Sequence, residues 1–503
     1  MAEFVSLQEA VSCIRDGDLV GVNAFVTLAN PRELTRALAR RYRQEGAPKD
    51  LSVFCAASYG AWDGDEGTEE FVECGAVKRV VMGFYNSAPR TVELIQAGKL
   101  EAYNLPLGVM SHMIRSAAGG RDFYLSKIGL NLFIDPQVDG RPLNPVSRDT
   151  WAEHVTVFGE DFMKYRCPKF DVALIKGSSA DQYGNISFED ESVVCDALSL
   201  AQAVRSNRGK VIVEVTRQIH YKHRPWDVII PGSLVDYICV CPENKQVIGQ
   251  GSTNPLYAGD RFVTPWELTN FAADHATATA RDIIARRAVR EIHPGQMVNL
   301  GVGIPEGVGQ EAARLGILPE IALTVESGPF GGMPASGIDF GSSVGAMSIS
   351  SVADIFDFYD GGGLDVAFIG FLEVDRAGNV NGHASPGKLS GIGGFANITQ
   401  STRKVVFCGT FTAGGLEATW DEDGVHIIKE GRINKFVDRV SAVSFSAKNA
   451  HETGQEILYV TERCVFRLEE KGLVITEVYP GIDLERDILL KLPFWVGVRL
   501  EGE

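Results

Sequence analysis

The sequence predicts an α/β protein made of two related open α/β domains, with the active site in the cleft between them. Three observations carry that expectation. Short β-rich apolar runs alternate with amphipathic helical stretches along the whole chain. The runs are nearly continuous in Val, Ile and Leu, as in parallel strands buried on both faces. Finally, strand and turn sequences recur at a fixed offset, the mark of a duplicated unit.

In chain order, Ser6-Leu-Gln-Glu9 is a capping box that opens a helix over the apolar period of Val11, Ile14 and Leu19. Strand-like runs follow at 51–56 (LSVFCA), 79–82 (RVVM), 171–175 (DVALI) and 211–215 (VIVEV). The run DVALI at 171–175 recurs as DVAFI at 365–369, an offset of 194 residues. At the same offset DQYGNI at 181–186 recurs as DRAGNV at 375–380, and KVIV at 210–213 as KVVF at 404–407. Asp-x-x-Gly-Asn reads as a turn in which Gly and Asn take positive φ. A weaker echo joins Asp16-Gly-Asp-Leu-Val20 to Pro294-Gly-Gln-Met-Val298. Thr264-Pro-Trp-Glu267 reads as a capping box opening a joining helix that runs through TATARDIIARRAVREI. The expected domains are therefore 1–270 and 271–503.

Composition narrows the function. A chain of 503 residues with 45% apolar and 22% charged residues has the balance of a large globular protein of two to four domains. Its net charge of −17 argues against a nucleic-acid partner, because phosphate backbones need a basic surface. The N-terminal residues lack the basic, then apolar, order of a secretory signal. No run approaches 18 consecutive apolar residues, so no membrane span is expected. Nine Cys are scattered without framework spacing, and the C-x-C of Cys239 and Cys241 reads as buried small hydrophobes. A reduced, cytoplasmic protein is the expectation.

The chemistry concentrates in the second half. A strand, IALTV, runs into Glu326-Ser327-Gly328-Pro329 and then Phe330-Gly331-Gly332. A carboxylate at the carboxyl end of such a strand stands where open α/β sheets bind ligands. It can serve as nucleophile, general base or turn former. Two further glycine turns follow strands: Gly301-Val302-Gly303-Ile304-Pro305, and Gly391-Ile392-Gly393-Gly394 before Asn397. Neither is a dinucleotide fingerprint or a phosphate-binding P-loop. His220 and His223 lack a third ligand beyond Asp227, so no metal is expected, and no nucleophile elbow of the serine hydrolases occurs.

These residues resemble the class I (Glu-dependent) CoA-transferases, in the branch that fuses both subunits in one chain and includes acetate and propionate CoA-transferases of broad acyl specificity. The likeness rests on TVESGPFGGMP at 324–334, NLGVGIPEGV at 299–308, GGFANIT at 393–399, KVVFCGTFTAGGLE at 404–417, EAYNLPLGV at 101–109 and IPGSLVDYICV at 230–240. It implies two domains of CoA-transferase fold and transfer of coenzyme A between an acyl-CoA and a free carboxylic acid. Glu326 matches the nucleophile, which carries CoA as a glutamyl thioester. Gly301, Val302, Gly303, Ile304 and Pro305 match the CoA site, and Gly393 and Gly394 the turn beside the thiol arm. No permanently bound cofactor is implied: coenzyme A is substrate and covalent intermediate. The relatives form homodimers or homotetramers.

Two departures stand out. The family's oxyanion motif, G-x-G-x-F, falls on Gly129-Leu-Asn131-Leu132-Phe133, where Asn131 replaces the second glycine. Leu107 stands where many relatives carry Gln. Both lie on the acyl side, where Phe25, Phe84, Tyr85 and Met110 hint at an apolar pocket. They keep an acyl-CoA hydrolase on the same fold as the alternative activity.

Overall fold

The apolar runs fold as the centres of two open sheets. The computed structural model describes residues 2–62, 67–244, 254–264, 266–268, 279–385 and 387–500. In the first sheet the order is Glu3–Phe4, Tyr237–Val240, Lys210–Gln218, Val172–Ala180, Leu19–Val22, Leu51–Cys55, Val77–Met82 and Glu101–Asn104, all neighbours parallel. The short strand Ile186–Ser187 pairs antiparallel with Val172–Ala180. Alternate residues feed two cores. Val172, Leu174, Ile212, Val80 and Met82 pack on one face, where the helix Arg32–Glu45 lies. Ala173, Ile175, Val211, Val213 and Val81 pack on the other, under the helices Leu107–Ala118 and Ala197–Ser206. A strand that feeds two cores must be apolar at every position, which is why these runs do not alternate with polar residues.

The second sheet runs Ser348–Ile349, Pro329–Phe330, Ala322–Thr324, Met297–Leu300, Val366–Gly370, Lys404–Cys408, Glu456–Val460, Cys464–Glu469, Gly472–Val478 and Gly497–Val498. Its centre repeats the first sheet. The parallel order Lys404–Cys408, Val366–Gly370, Met297–Leu300, Ala322–Thr324 matches Lys210–Gln218, Val172–Ala180, Leu19–Val22, Leu51–Cys55. The weak echo at Leu19 and Met297 also has a physical basis. Asp171 Oδ2 accepts the Leu19 N–H at 2.8 Å, and Asp365 Oδ2 accepts the Met297 N–H at 2.8 Å.

The repeated turns are alike in detail. Asp181 Oδ1 accepts from Tyr183 N and Asn185 N at 2.8 and 3.0 Å, and Asp375 Oδ1 from Ala377 N and Asn379 N, both at 3.0 Å. Only the glycines, Gly184 and Gly378, take positive φ (78° and 89°). The asparagines do not, which corrects the sequence reading: each instead donates its side-chain amide back to the turn's Asp, at 2.9 and 3.1 Å.

Two helix readings change. The Ser6–Glu9 capping box is present, but its helix is only Leu7–Val11. Gly17, at φ 80°, turns the chain so that Leu19 begins a strand. At the joint, Glu267 N–H donates to Thr264 Oγ1 at 3.3 Å and Thr264 N–H to Glu267 Oε2 at 2.8 Å, as a capping box requires. The helix Ala280–Ala288, however, has its own start, where Asp282 Oδ2 accepts the Thr279 N–H at 2.7 Å. Residue 265 and residues 269–278, with the expected domain boundary, lie outside the described residues. No described helix is long and apolar enough to cross a membrane.

The halves meet through backbone. Tyr85 N–H donates to Ser390 O at 2.8 Å, Gly393 N–H to Gly83 O at 2.7 Å and Leu107 N–H to Gly393 O at 2.9 Å. Ile392 N–H donates to Asn104 Oδ1 at 2.9 Å and Gly108 N–H to Asn397 Oδ1 at 3.2 Å. This seam presses the segment after the hairpin Ala384–Ser385/Lys388–Leu389 against the first half.

Candidate active site

Glu326 stands in the turn between the antiparallel strands Ala322–Thr324 and Pro329–Phe330. Gly328 N–H donates to Val325 O, and Val325 N–H to Pro329 O, both at 3.0 Å. Ser327 Oγ anchors the turn by donating to Gly341 O. Beneath it lies a buried polar chain: Asn299 Nδ2 donates to Tyr359 Oη at 3.2 Å, and Tyr359 Oη to Thr324 Oγ1 at 2.9 Å. The strand end is therefore held from three sides, and the carboxylate projects into a cleft.

That cleft, a cavity of about 470 Å³, is lined by both halves. Phe25, Val26, Ala57, Phe84 and Leu107 come from the first half. Gly301, Val302, Gly303 and Ile304 form one wall from the second half, and Gly391, Ile392, Gly393 and Gly394 the other. Pro305 does not line it: it caps the helix Glu306–Arg314. Gly303, at φ 91°, donates its N–H to Glu306 Oε1 at 2.8 Å, which fixes the turn at the helix start.

Glu326 is half-buried. Burial raises its carboxyl pKa to about 7, against a single opposing contact, the Gly394 backbone N–H. Among the described residues no basic side chain pairs with it, so the carboxylate is not locked in an ion pair. Gly394 begins the helix Phe395–Ser401. A Cβ there would lie 1.8 Å from Glu326 Oε2 and 3.0 Å from Phe356, so any side chain at this position would push the Glu326 carboxylate aside.

The remaining sequence candidates are elsewhere. Asn131 and Leu132 do not line the cleft. Asn131, at φ 60°, donates through Nδ2 to Asn449 Oδ1 at 2.7 Å, while Asn449 Nδ2 donates to Leu130 O at 2.8 Å. Leu132 is buried in the core of the first half. The segment ties the halves together, and Asn suits both the left-handed backbone and the amide pairing. Tyr85 and Met110 are core residues, Tyr85 giving its hydroxyl to Tyr103 O at 2.6 Å. Phe25 and Phe84 do reach the cleft. His223 meets Ser179 at 3.3 Å, and no three described His, Cys, Asp or Glu side chains group as a metal site would need. All nine cysteines are free thiols, and burial raises Cys239 to about 12.

Sequence reasoning missed Asp360 and Asn397. Asn397 Nδ2 donates to Asp360 Oδ1 and Oδ2 at 2.9 and 3.1 Å, while its Oδ1 accepts the Gly108 N–H. Burial lifts Asp360 to about 7. Only the GGFAN string after a glycine turn hinted at a side chain fixing the helix that bears Gly394.

The coenzyme A transferase family model matches residues 4–240 and 281–409. Caffeate CoA-transferase of Acetobacterium woodii is 40% identical over 500 residues, covering 98% of this chain and 94% of that protein. Acetate CoA-transferase YdiF of Escherichia coli K12 is 37% identical over 497 residues, covering 97% and 92%. The crystal structure of Escherichia coli O157:H7 YdiF as a thioester complex with CoA superposes with a TM-score of 0.90, at 35% identity, over 100% of this chain and 95% of that one. With two matching sheets, a shared cleft and this likeness over nearly its whole length, the chain belongs to the coenzyme A transferase family.

Proposed function

We propose that this protein moves coenzyme A between an acyl-CoA and a free carboxylic acid, with Glu326 as the covalent carrier. The observation that carries the reading is a half-buried carboxylate with no basic partner among the described residues, in a cleft lined by both halves. The solved CoA thioester of the related YdiF supports it.

Glu326 attacks the thioester carbonyl as a carboxylate, which expels CoA thiolate and leaves a mixed anhydride. The thiolate then attacks the Glu326 carbonyl, releasing the product acid and forming a glutamyl-CoA thioester. A second acid runs the same steps backwards, so kinetics are ping-pong. Each tetrahedral intermediate carries an oxyanion, and each well-aimed N–H donor contributes about 3 kcal/mol. The Gly394 N–H is one candidate, since it already faces the carboxylate. The apolar walls keep water from the anhydride and thioester.

The test is intact mass spectrometry after mixing the protein with an acyl-CoA and no acceptor. A CoA-sized adduct on Glu326, discharged by added carboxylate, is the expected result. Free CoA accumulating with no adduct would instead indicate a hydrolase.

A further inference from the structure

Beside the backbone seam the halves also meet through charge. The helix Leu107–Ala118 of the first half packs on the helix Val352–Asp360 of the second. Asp354, Asp357 and Asp360 recur every third residue and share one face. His112 and Arg115, also three apart, meet them from the first half. Arg115 reaches Asp354 Oδ1 at 2.5 Å and Asp357 Oδ2 at 2.6 Å. His112, only 5% exposed, holds Nε2 3.6 Å from Asp357 Oδ1 and 3.8 Å from Asp360 Oδ2. Those distances suit charge attraction but are too long for hydrogen bonds. The other elements packed on Leu107–Ala118 direct no further cation at His112 among the described residues. Tyr124 of the strand Phe123–Ser126 lies 5.2 Å from it, ring to ring, its hydroxyl pushed up to about 12 by burial. At the start of the helix Ala197–Ser206, Asp196 accepts Ser111 Oγ at 2.7 Å, and Arg205 is drawn to Asp236 at 3.5 Å. The helix Phe395–Ser401 brings Asn397 and no titratable group.

Three carboxylates thus meet one guanidinium and one imidazole. Burial pushes His112 below its ordinary value and lifts Asp360 to about 7, so near neutrality the two hold a single proton between them. The pair closes a circuit across the seam. Asp360 accepts Asn397 Nδ2, Asn397 Oδ1 accepts the Gly108 N–H, and Gly108 lies in the first turn of the helix that carries His112. Gly394, whose N–H meets Glu326, stands one turn before Asn397. Resting on the proposed transfer reaction, we infer that His112 and Asp360 are positioning residues: a proton held between them clasps the halves and keeps the Gly394 N–H aimed at Glu326. Above neutral pH that proton leaves for water. A neutral ring then faces two carboxylates, which also repel each other along their own helix, and the circuit slackens.

The test compares the parent with Asp360→Asn, His112→Gln and the double variant. Parent kcat is expected to fall about tenfold between pH 7 and 9, while KM for the acyl-CoA stays within about twofold. An amide at position 360 keeps a partner for Asn397 and carries no charge, so kcat of Asp360→Asn is expected to stay level over that range. His112→Gln leaves the carboxylate without its cation and should lower kcat at pH 7. Adding Asp360→Asn should restore most of that loss, a rescue that a merely structural role would not produce. Parallel pH profiles in the parent and Asp360→Asn, or no rescue in the double variant, would overturn the assignment. Amide hydrogen exchange over residues 107–118 and 395–401 reads the clasp without turnover. Relative to its intrinsic rate, exchange there is expected to quicken from pH 7 to 9 in the parent and not in Asp360→Asn. That result in a protein that forms no Glu326 adduct would sink the transfer reading and keep the clasp. An adduct formed while both proteins exchange alike would do the reverse.

Discussion

At Glu326, burial places the carboxyl pKa near 7, well above its ordinary 4.5. In the proposed reaction the nucleophile is the charged form, so kcat/KM for the acyl-CoA is expected to fall as pH drops through about 7, by about tenfold per unit below it. The folded protein binds this proton more tightly than the unfolded chain does. Its contribution to stability is therefore greatest below pH 4.5 and is lost as pH rises through 7. Glu326→Gln should abolish transfer yet raise Tm at pH 8, with the gain shrinking toward pH 5. Equal Tm shifts at both pH values would contradict the buried-charge account. Leu107, only 1% exposed and facing the cleft, sets the other residue-scale expectation. Leu107→Gln puts an amide into an apolar wall, so kcat/KM for a hexanoyl donor relative to an acetyl donor should fall about tenfold. An unaltered ratio would remove Leu107 from the acyl site.

Elements, rather than single side chains, bring the two walls together. The helix Phe395–Ser401 carries Gly394 at its start and Asn397 one turn on, and Asn397 bonds both Asp360 and the Gly108 backbone. Asn397→Ala leaves the buried Gly108 N–H unsatisfied, at a cost of about 1–3 kcal/mol, and takes two hydrogen bonds from the partly exposed Asp360 carboxylate. It should lower Tm and reduce kcat more than it changes KM, because the Gly394 N–H loses its fixed aim. The segment around Asn131 serves the seam instead. Asn131→Gly keeps the left-handed backbone but loses the Asn449 bond, about 1 kcal/mol. Its acyl-donor profile should match that of the parent, and a shifted profile would return this segment to the acyl site. This contrast explains what could be read beforehand. Glu326 and its glycine turns are local strings whose backbone demands are written in consecutive residues. The partner of Asn131 lies 318 residues away, and that of Asn397 is 37 away on another helix. No spacing rule announces either. The repeated strands were legible because each feeds two cores and must be apolar throughout, whereas Leu19 misled because an apolar residue fits a helix period and a strand equally well.

Across the whole molecule, the duplicated centre gives both halves the same strand order and the same Asp clasp on a strand start. What differs is how their loops meet. The second half supplies Glu326 and both glycine walls, and the first half closes the cleft with Phe25, Val26, Ala57, Phe84 and Leu107. A ligand in this cleft therefore touches both halves, and the backbone seam from Tyr85 to Asn397 joins them beside it. Binding then stabilises a contact that neither half forms alone. At an acyl-CoA concentration of 100 times Kd, linkage adds about 2.7 kcal/mol to the stability of whatever unit holds the ligand. If the seam makes the halves one cooperative unit, calorimetry should show a single unfolding transition that moves upward as a whole, most clearly in Glu326→Gln, which binds without turning over. Two transitions, with only the later one displaced by the ligand, would mean that the second half alone carries the binding energy and that the first half closes over a site already formed.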